Sequence, residues 1–323
     1  NHWILAWLGL ELNTISILPM MMKHHHPRAT EATTKYFIIQ ATSAACILFA
    51  STINAWQTGQ WSPTHTNSTT TTTMITMAIM MKLGLAPAHL WYPEVLQGTP
   101  MSISMLITTW QKIAPLTFLY LSHNNLNSTM MLTMGLVSAV VGGLAGLNQT
   151  QTRKILAFSS IAHMGWLIVA LDLNPGLATM TMILYMATTT ATFTMLTATT
   201  TKTITDTGTT WAMSPATLAT TLVTLLSLGG LPPLSGFVPK WLIMKELVSM
   251  NLTTLSMMLL TASLPSLYFY TRMAYMTSLT TPPTTTNTKL KWRLTSTNPP
   301  IMTLAVMMAW LLIPMTGTLY NTI

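Results

Sequence analysis

Apolar windows of about 18 to 22 residues, separated by short polar connections, recur along nearly the whole of this 323-residue chain. A window of that length is what an α-helix needs to cross a bilayer. Only 6% of the residues are charged while 50% are hydrophobic, far below the roughly 25% charge of soluble domains. Such a chain has too little charge to cover a large core in water. Its remaining polarity is mostly Thr, Ser and Asn, which bilayer helices tolerate. The expected class is an all-α polytopic membrane protein, with residues 1–323 forming one membrane domain.

The windows predict about ten spans, near 2–20, 35–55, 73–92, 101–121, 127–147, 153–171, 177–199, 215–249, 252–276 and 300–320. The Thr-rich stretches at 61–72 and 278–300 read as polar surface loops. If the spans alternate, one face collects Lys23, Arg28, Lys35, Arg153, Lys154, Lys202, Arg272, Lys289, Lys291 and Arg293, and the other only Lys245, offset by Glu246. The positive-inside rule makes the first face cytoplasmic or, in an organelle, the matrix face. Because no basic run is interleaved with aromatics, the net charge of +8 does not point to nucleic acid. Cys46 is the only cysteine; it rules out a disulfide framework and is expected to be a small buried hydrophobe. The chain opens on Asn1 with no signal peptide, so residues are expected to be missing before it.

Two spans carry breakers. The stretch 224–244, "TLLSLGGLPPLSGFVPKWLIM", contains Gly229, Gly230, the pair Pro232 and Pro233, and Pro239. "LGLAP" at 83–87 is similar to "LGGLP" at 228–232. Interrupted helices are tolerated at membrane depth only inside protein or beside a watery cavity. A pair of them in corresponding halves points to an inverted-repeat transporter fold with its site at the breaks.

Four charges fall at mid-depth: Glu11, Lys82, Lys112 and Lys240. Each cation at the bilayer centre costs about 2.5–3.5 kcal/mol on insertion scales, so water, a partner carboxylate or loss of the proton must offset it. Burial favours the neutral amine and a nearby carboxylate the ammonium, which makes a lysine with a Glu neighbour a proton carrier. The expected route runs from Lys82, tuned by Glu11, through Lys112 to Lys240. Static buried ion pairs are the bland alternative, and one Glu cannot pair three Lys. His89 and His163 are candidate bridges, each as readily a packed histidine. Lys154 is a further candidate, although beside Arg153 at a span end it suits an interfacial anchor. The run His24–His26 has no companion metal ligands and reads as exposed loop, and Glu94 reads as part of an interfacial linker. Gly142 and Gly146 have the spacing of close helix packing. With no GxGxxG after a strand, Walker loop, CxxC cluster or HExxH, the chain is expected to bind no nucleotide, flavin, iron–sulfur cluster, haem or metal by itself.

Taken together, "GLELN" (9–13), "RATEATTKYFIIQATSA" (28–44), "MKLGLAPAHLWYPEVLQGTP" (81–100), "TWQKIAPL" (109–116), "LNQTQTRKILAFSSIAHMGW" (147–166) and "SLGGLPPLSGFVPKW" (227–241) closely resemble the antiporter-like membrane subunits of mitochondrial NADH:ubiquinone oxidoreductase, respiratory complex I. The resemblance covers essentially the whole chain. It implies two inverted five-helix repeats, each with one discontinuous helix, here about 1–121 and 127–276, followed by a helix at 300–320. Members begin with a further helix before His2 and Trp3, so the first repeat is expected to lack its first helix. The family's proton-path residues carry over to Glu11, Lys82, Lys112 and Lys240. The resemblance also implies a proton-translocating subunit of an H+-translocating NADH:ubiquinone reductase, located in the mitochondrial inner membrane. NADH, FMN, iron–sulfur clusters and ubiquinone would be handled by partner subunits. Its partners would be other membrane subunits of the complex, neighbouring antiporter-like subunits among them, and the lipid bilayer. Two rival functions stay open: a stand-alone cation/proton antiporter, and a structural assembly subunit without an active channel.

Overall fold

The computed structural model describes residues 2–23, 25–63, 68–210 and 215–279, together with 303, 305–307, 309, 310 and 317. Among them the regular structure is helical. The order is α1 (Trp3–Met22), α2 (Pro27–Thr58), α3 (Thr69–Leu83), α4 (Trp91–Gly98), α5 (Met101–Thr108), α6 (Trp110–Ser122), α7 (Ser128–Gly146), α8 (Thr152–Leu173), α9 (Pro175–Ala198), α10 (Ile204–Thr209), α11 (Pro215–Gly229), α12 (Phe237–Ser249) and α13 (Thr253–Leu279). Helix α8 is the centre of the bundle: α4, α5, α7, α9, α12 and α13 all pack against it, and most of its residues are buried. Around it the outer helices turn residues such as Leu5, Leu12, Ile38, Trp56, Met257 and Leu264 outward. An apolar outer surface is what contact with lipid requires. Cys46 belongs to it; the cysteine is exposed rather than buried, because a small apolar residue on the outer face of a membrane helix gains nothing from facing inward.

Four helices, α1, α2, α7 and α8, are each long and apolar enough to cross a bilayer as single segments. The other expected spans differ for two physical reasons. Helices α9 and α13 have the length but are diluted by threonine and serine. The spans near 73–92, 101–121 and 215–249 are each divided into two helices. Residues 69–72, expected in a loop, form the first turn of α3, where the Ser68 hydroxyl accepts from the Thr71 N–H as an N-cap. The span near 300–320 falls largely outside the described residues, as does nearly all of the 278–300 stretch with Lys289, Lys291 and Arg293; the described residues Val306 and Ala309 pack on Ala191 and Met195 of α9.

The hydroxyl-rich composition is accommodated locally. Thr76, Ser138, Ser159, Ser160, Thr181, Thr189 and Thr192 are all buried, and each donates to a carbonyl three or four residues back in its own helix. A threonine satisfied in this way brings no unpaired polar atom into the bundle.

The Gly142–Gly146 spacing brings helices together as expected. A Cβ on Gly142 would stand 2.6 Å from the Ala162 amide nitrogen and 2.8 Å from the Phe158 carbonyl, both backbone atoms of α8. Since backbone cannot give way as a side chain can, Gly142→Ala should destabilise the α7–α8 contact by about 1–3 kcal/mol, the usual cost of overpacking. A lower thermal midpoint, or less assembled protein on native gels, is the expected reading; an unchanged midpoint would mean the helices separate at no cost.

The basic residues gather at one end of the bundle. Arg28 and Lys35 of α2, Glu94 of α4 and Lys154 of α8 line one surface groove. Arg153 donates to the Gln97 and Thr99 carbonyls, Arg272 to those of Leu147 and Gln149, and the Thr152 N–H bonds the Lys202 carbonyl. In the connection beside Lys202, Thr203 caps α10, and its N–H and hydroxyl hold the Asp206 carboxyl below the usual carboxylate range. His26, from the histidine run, serves as the N-cap of α2 by accepting from the Arg28 N–H.

Candidate functional site

The two Gly/Pro breaks have the same local construction. Helix α3 ends with Gly84 in the left-handed region (φ 73°), the Leu85 N–H bonding Met80 O and the Gly84 N–H bonding Met81 O. Helix α11 ends with Gly230 at φ 82°, the Leu231 N–H bonding Leu226 O and the Gly230 N–H bonding Ser227 O. Each is a Schellman motif, in which a left-handed glycine lets two terminal carbonyls be satisfied before the chain turns away. Gly84 therefore corresponds to Gly230, one residue along from the match that the letters LGLAP and LGGLP suggest. The lysines do not correspond: Lys82 lies in the last turn of the first half-helix, α3, and Lys240 in the first turns of the second, α12.

Both lysines nonetheless belong to the C-terminal end of a half-helix, Lys82 by its place in the chain and Lys240 by its ammonium group, and there the backbone dipole favours a cation. Lys82 is already there. Lys240 folds back across the break and donates to the Gly229 carbonyl, 3.1 Å away, at the end of α11. Gly230 makes this possible, since a Cβ there would lie 2.9 Å from Lys240 Nζ. The buried Ser235 hydroxyl ties the same break to a distant segment by donating to the Ala309 carbonyl at 2.5 Å.

Lys82 is almost wholly buried, and its Nζ stands 4.0 Å from Glu11 Oε1. At that separation two unit charges attract by about 4 kcal/mol at an effective dielectric constant of about 20. The Thr14 hydroxyl, from the next turn of α1, lies 3.3 Å from Glu11 Oε2. Beside this pair is a cavity of about 10 Å³, lined by Lys82 and Lys112 together with Asn13, Gln40, Tyr36 and Gln111. That is room for about one water molecule. The amides are tied to the helices around it. Gln40 donates to the Lys82 carbonyl (3.2 Å), Gln111 donates to the Asn13 carbonyl (3.2 Å), and Tyr36 reaches Gln111 Oε1 (3.4 Å).

Lys112 has no carboxylate partner among the described residues. Its Nζ stands over the rings of Tyr92 (4.9 Å) and Tyr185 (5.3 Å) and donates to the Tyr185 hydroxyl at 3.3 Å. Desolvated cation–π contacts contribute about 2 kcal/mol, comparable with the roughly 2.5–3.5 kcal/mol insertion cost of the cation.

The helix containing Lys112 is itself broken, which the sequence reading did not anticipate. The Lys112 N–H bonds Thr109 O at 3.3 Å instead of Thr108 O one residue earlier, and the Thr108 carbonyl accepts from the Tyr185 hydroxyl at 3.2 Å. A side chain inserted into the backbone ladder is a recognised cause of such a kink. On the far side of Tyr185 lies a second cavity, of about 30 Å³, lined by Tyr185, His163, Ser227, Pro239 and Lys240. His163 bonds the Ser159 carbonyl through Nδ1 at 2.7 Å, and its ring faces those of Tyr185 and Tyr270 at 5.8 and 6.4 Å.

Of the candidates from the sequence, Glu11, Lys82, Lys112, His163 and Lys240 lie along this buried line. His89 is set apart near the surface, with Nδ1 3.2 Å from the Pro87 carbonyl. Lys154 lines the charged groove at the basic end, where Lys35 bridges Glu31 (2.6 Å) and Glu94 (2.7 Å). The residues not singled out from the sequence are Tyr185, Tyr92, Gln40 and Gln111. Two amides inside membrane-length apolar windows, Gln40 buried and Gln111 half-buried, were the available signal, hidden among so many threonines.

Broken helices with inward-facing lysines at their breaks, and small cavities along the line between them, define a class of ion-translocating membrane protein. The chain belongs to the NADH:quinone oxidoreductase/Mrp antiporter transmembrane family, whose model matches residues 1–265. A second family model, described as the NADH dehydrogenase subunit 2 C-terminus, matches residues 267–320. Among curated relatives, the chain is 48% identical over 315 residues to NADH-ubiquinone oxidoreductase chain 2 of Xenopus laevis, covering 97% of this chain and 91% of that one. It is 49% identical over 318 residues to the protein of the same name from Carassius auratus, with 98% and 91% covered. Among solved structures, a chain of respiratory complex I from Thermus thermophilus superposes with a TM-score of 0.86 at 25% identity, over 99% of this chain and 74% of that one. A chain of the Mrp complex from a Dietzia species gives a TM-score of 0.85 at 14% identity, over 100% of this chain and 73% of that one, which shows the shared antiporter-like fold.

Proposed function

We propose that this chain is a proton-translocating membrane subunit of respiratory complex I, and that the proton passes through it along Glu11, Lys82, Lys112 and Lys240, with His163 beside the last step. The single observation that carries the route is geometric: one water-sized cavity joins Lys82 to Lys112, a second joins Tyr185 to Lys240, and the hydrogen bond from Lys112 to Tyr185 links the two. Glu11 holds the proton on Lys82 by attraction. Any weakening of that pair frees the proton for the cavity and Lys112, which lines the same cavity. Lys240 takes the proton at the second break, on the Gly229 carbonyl.

The paired Schellman breaks support two inverted repeats, about 1–121 and 127–276, each with one discontinuous helix. The curated relatives support a location in the mitochondrial inner membrane and an assembly with other complex I membrane subunits, neighbouring antiporter-like subunits included. In this reading NADH, FMN, iron–sulfur clusters and ubiquinone belong to partner subunits. Moving one proton against 100 mV costs about 2.3 kcal/mol, which redox chemistry in those partners supplies. Lys82→Met in the intact complex tests the route. The proton-to-electron ratio in sealed vesicles should fall while NADH oxidation by an artificial acceptor stays normal. An unchanged ratio in a fully assembled complex would make the lysine structural.

A further inference from the structure

We propose that the Tyr185 hydroxyl is a two-position gate between the two halves of the proton line. The proposal rests on the proton-transfer reading above and adds a residue and a switching event to it.

Tyr185 is the group common to both sides. Its hydroxyl accepts from Lys112 Nζ at 3.3 Å, and Lys112 lines the cavity shared with Lys82. Tyr185 itself lines the other cavity, with His163 and Lys240. The hydroxyl proton is given to the Thr108 carbonyl at 3.2 Å, an acceptor that exists because the ladder between α5 and α6 is interrupted there. Thr108 is fully buried, so Tyr185 has good reason to stay in this position, since an unpaired buried carbonyl costs roughly 1–3 kcal/mol. With its proton pointed at Thr108, the tyrosine can accept from Lys112 but has nothing to offer the second cavity. The gate is closed.

Opening requires only rotation about the C–O bond, so that the hydroxyl proton turns from Thr108 to a water in the second cavity. One N–H bond of the Lys112 ammonium then breaks as an O–H bond forms on Tyr185. The original Tyr185 O–H bond breaks as an O–H bond forms on that water, which passes its extra proton on towards His163 and Lys240. Lys112 is left as the neutral amine and Tyr185 stays a neutral phenol, so no buried phenolate is needed. A shift of the α5–α6 junction that re-forms the bond from the Lys112 N–H to Thr108 O would release the hydroxyl. The break in the helix thereby couples backbone movement to proton passage.

The test is Tyr185→Phe in the intact complex, measured beside Lys112→Met. Phenylalanine keeps the ring under Lys112 and against His163 and removes only the hydroxyl. The expected result is an assembled complex with normal NADH oxidation by an artificial acceptor and at least about a twofold loss of proton translocation per electron. Tyr185→His, whose ring N–H can serve Thr108 while the other nitrogen accepts, should restore part of that loss; a purely packing role would not be rescued by a smaller polar ring. Undiminished pumping in Tyr185→Phe together with impaired pumping in Lys112→Met overturns the gate and leaves the lysine route standing. Undiminished pumping in both sinks the route itself. Failure of both tyrosine variants to assemble would assign Tyr185 to packing and equally overturn the gate.

Discussion

Lys112→Met should leave the protein as stable as before, or more so, while removing its proton translocation. The two effects have opposite signs because the lysine is buried against aromatic rings without a carboxylate. A methionine of similar length fills the same space with no charge to desolvate, and replacing buried charges by apolar groups of similar volume is often neutral or stabilising. Relief of the roughly 2.5–3.5 kcal/mol insertion cost is the upper bound on the gain, less the lost contacts with the rings. Transport has no such compensation, since the amine is the link between the Lys82 cavity and Tyr185 at the second cavity. Thermal denaturation of the assembled complex should therefore show an unchanged or higher midpoint, while vesicles show a reduced proton-to-electron ratio. A lower midpoint with normal pumping would reverse the assignment and make Lys112 a structural cation.

Gly230→Ala should damage both stability and transport, through a residue that carries no proton. At φ 82° an alanine pays about 1–2 kcal/mol for the left-handed conformation, and its Cβ would stand 2.9 Å from Lys240 Nζ and 3.3 Å from the chain behind it. Lys240 must then leave the Gly229 carbonyl. The expected outcome is a midpoint several degrees lower and a proton-to-electron ratio close to that of Lys240→Met. Gly9 is a control, because a Cβ there meets nothing within 4 Å. If Gly9→Ala and Gly230→Ala behaved alike, the break would not be positioning the lysine.

The sequence made the four mid-depth charges easy to find, because a charge inside an apolar window has few ordinary explanations. Gly and Pro marked two of the three broken spans for a similar reason. The third break, at Thr108 and Thr109, follows from a tyrosine hydroxyl supplied by α9, some 77 residues away in sequence, and no local pattern announces a tertiary hydrogen bond. The same reasoning explains the misplaced start of α3. A run of threonines reads as loop by propensity, yet each hydroxyl there can bond back to its own helix once Ser68 provides the cap. Cys46 was misread by applying the logic of water-soluble proteins to a surface facing lipid. The sorting of basic residues to one end was legible because it depends on span order alone, and Arg28, Lys35, Arg153, Lys154 and Arg272 do lie at connected helix ends.

The central claim is that the lysines act in series, and the proton-to-electron ratio of a double variant tests it most directly. A line in series is broken by its first missing link, and residues that act as a unit give strongly non-additive losses. Vesicles containing complex with Lys82→Met, with Lys240→Met and with both should therefore show one and the same reduced ratio. A double variant whose loss is the sum of two separate losses, or a single variant that pumps normally, would contradict the account.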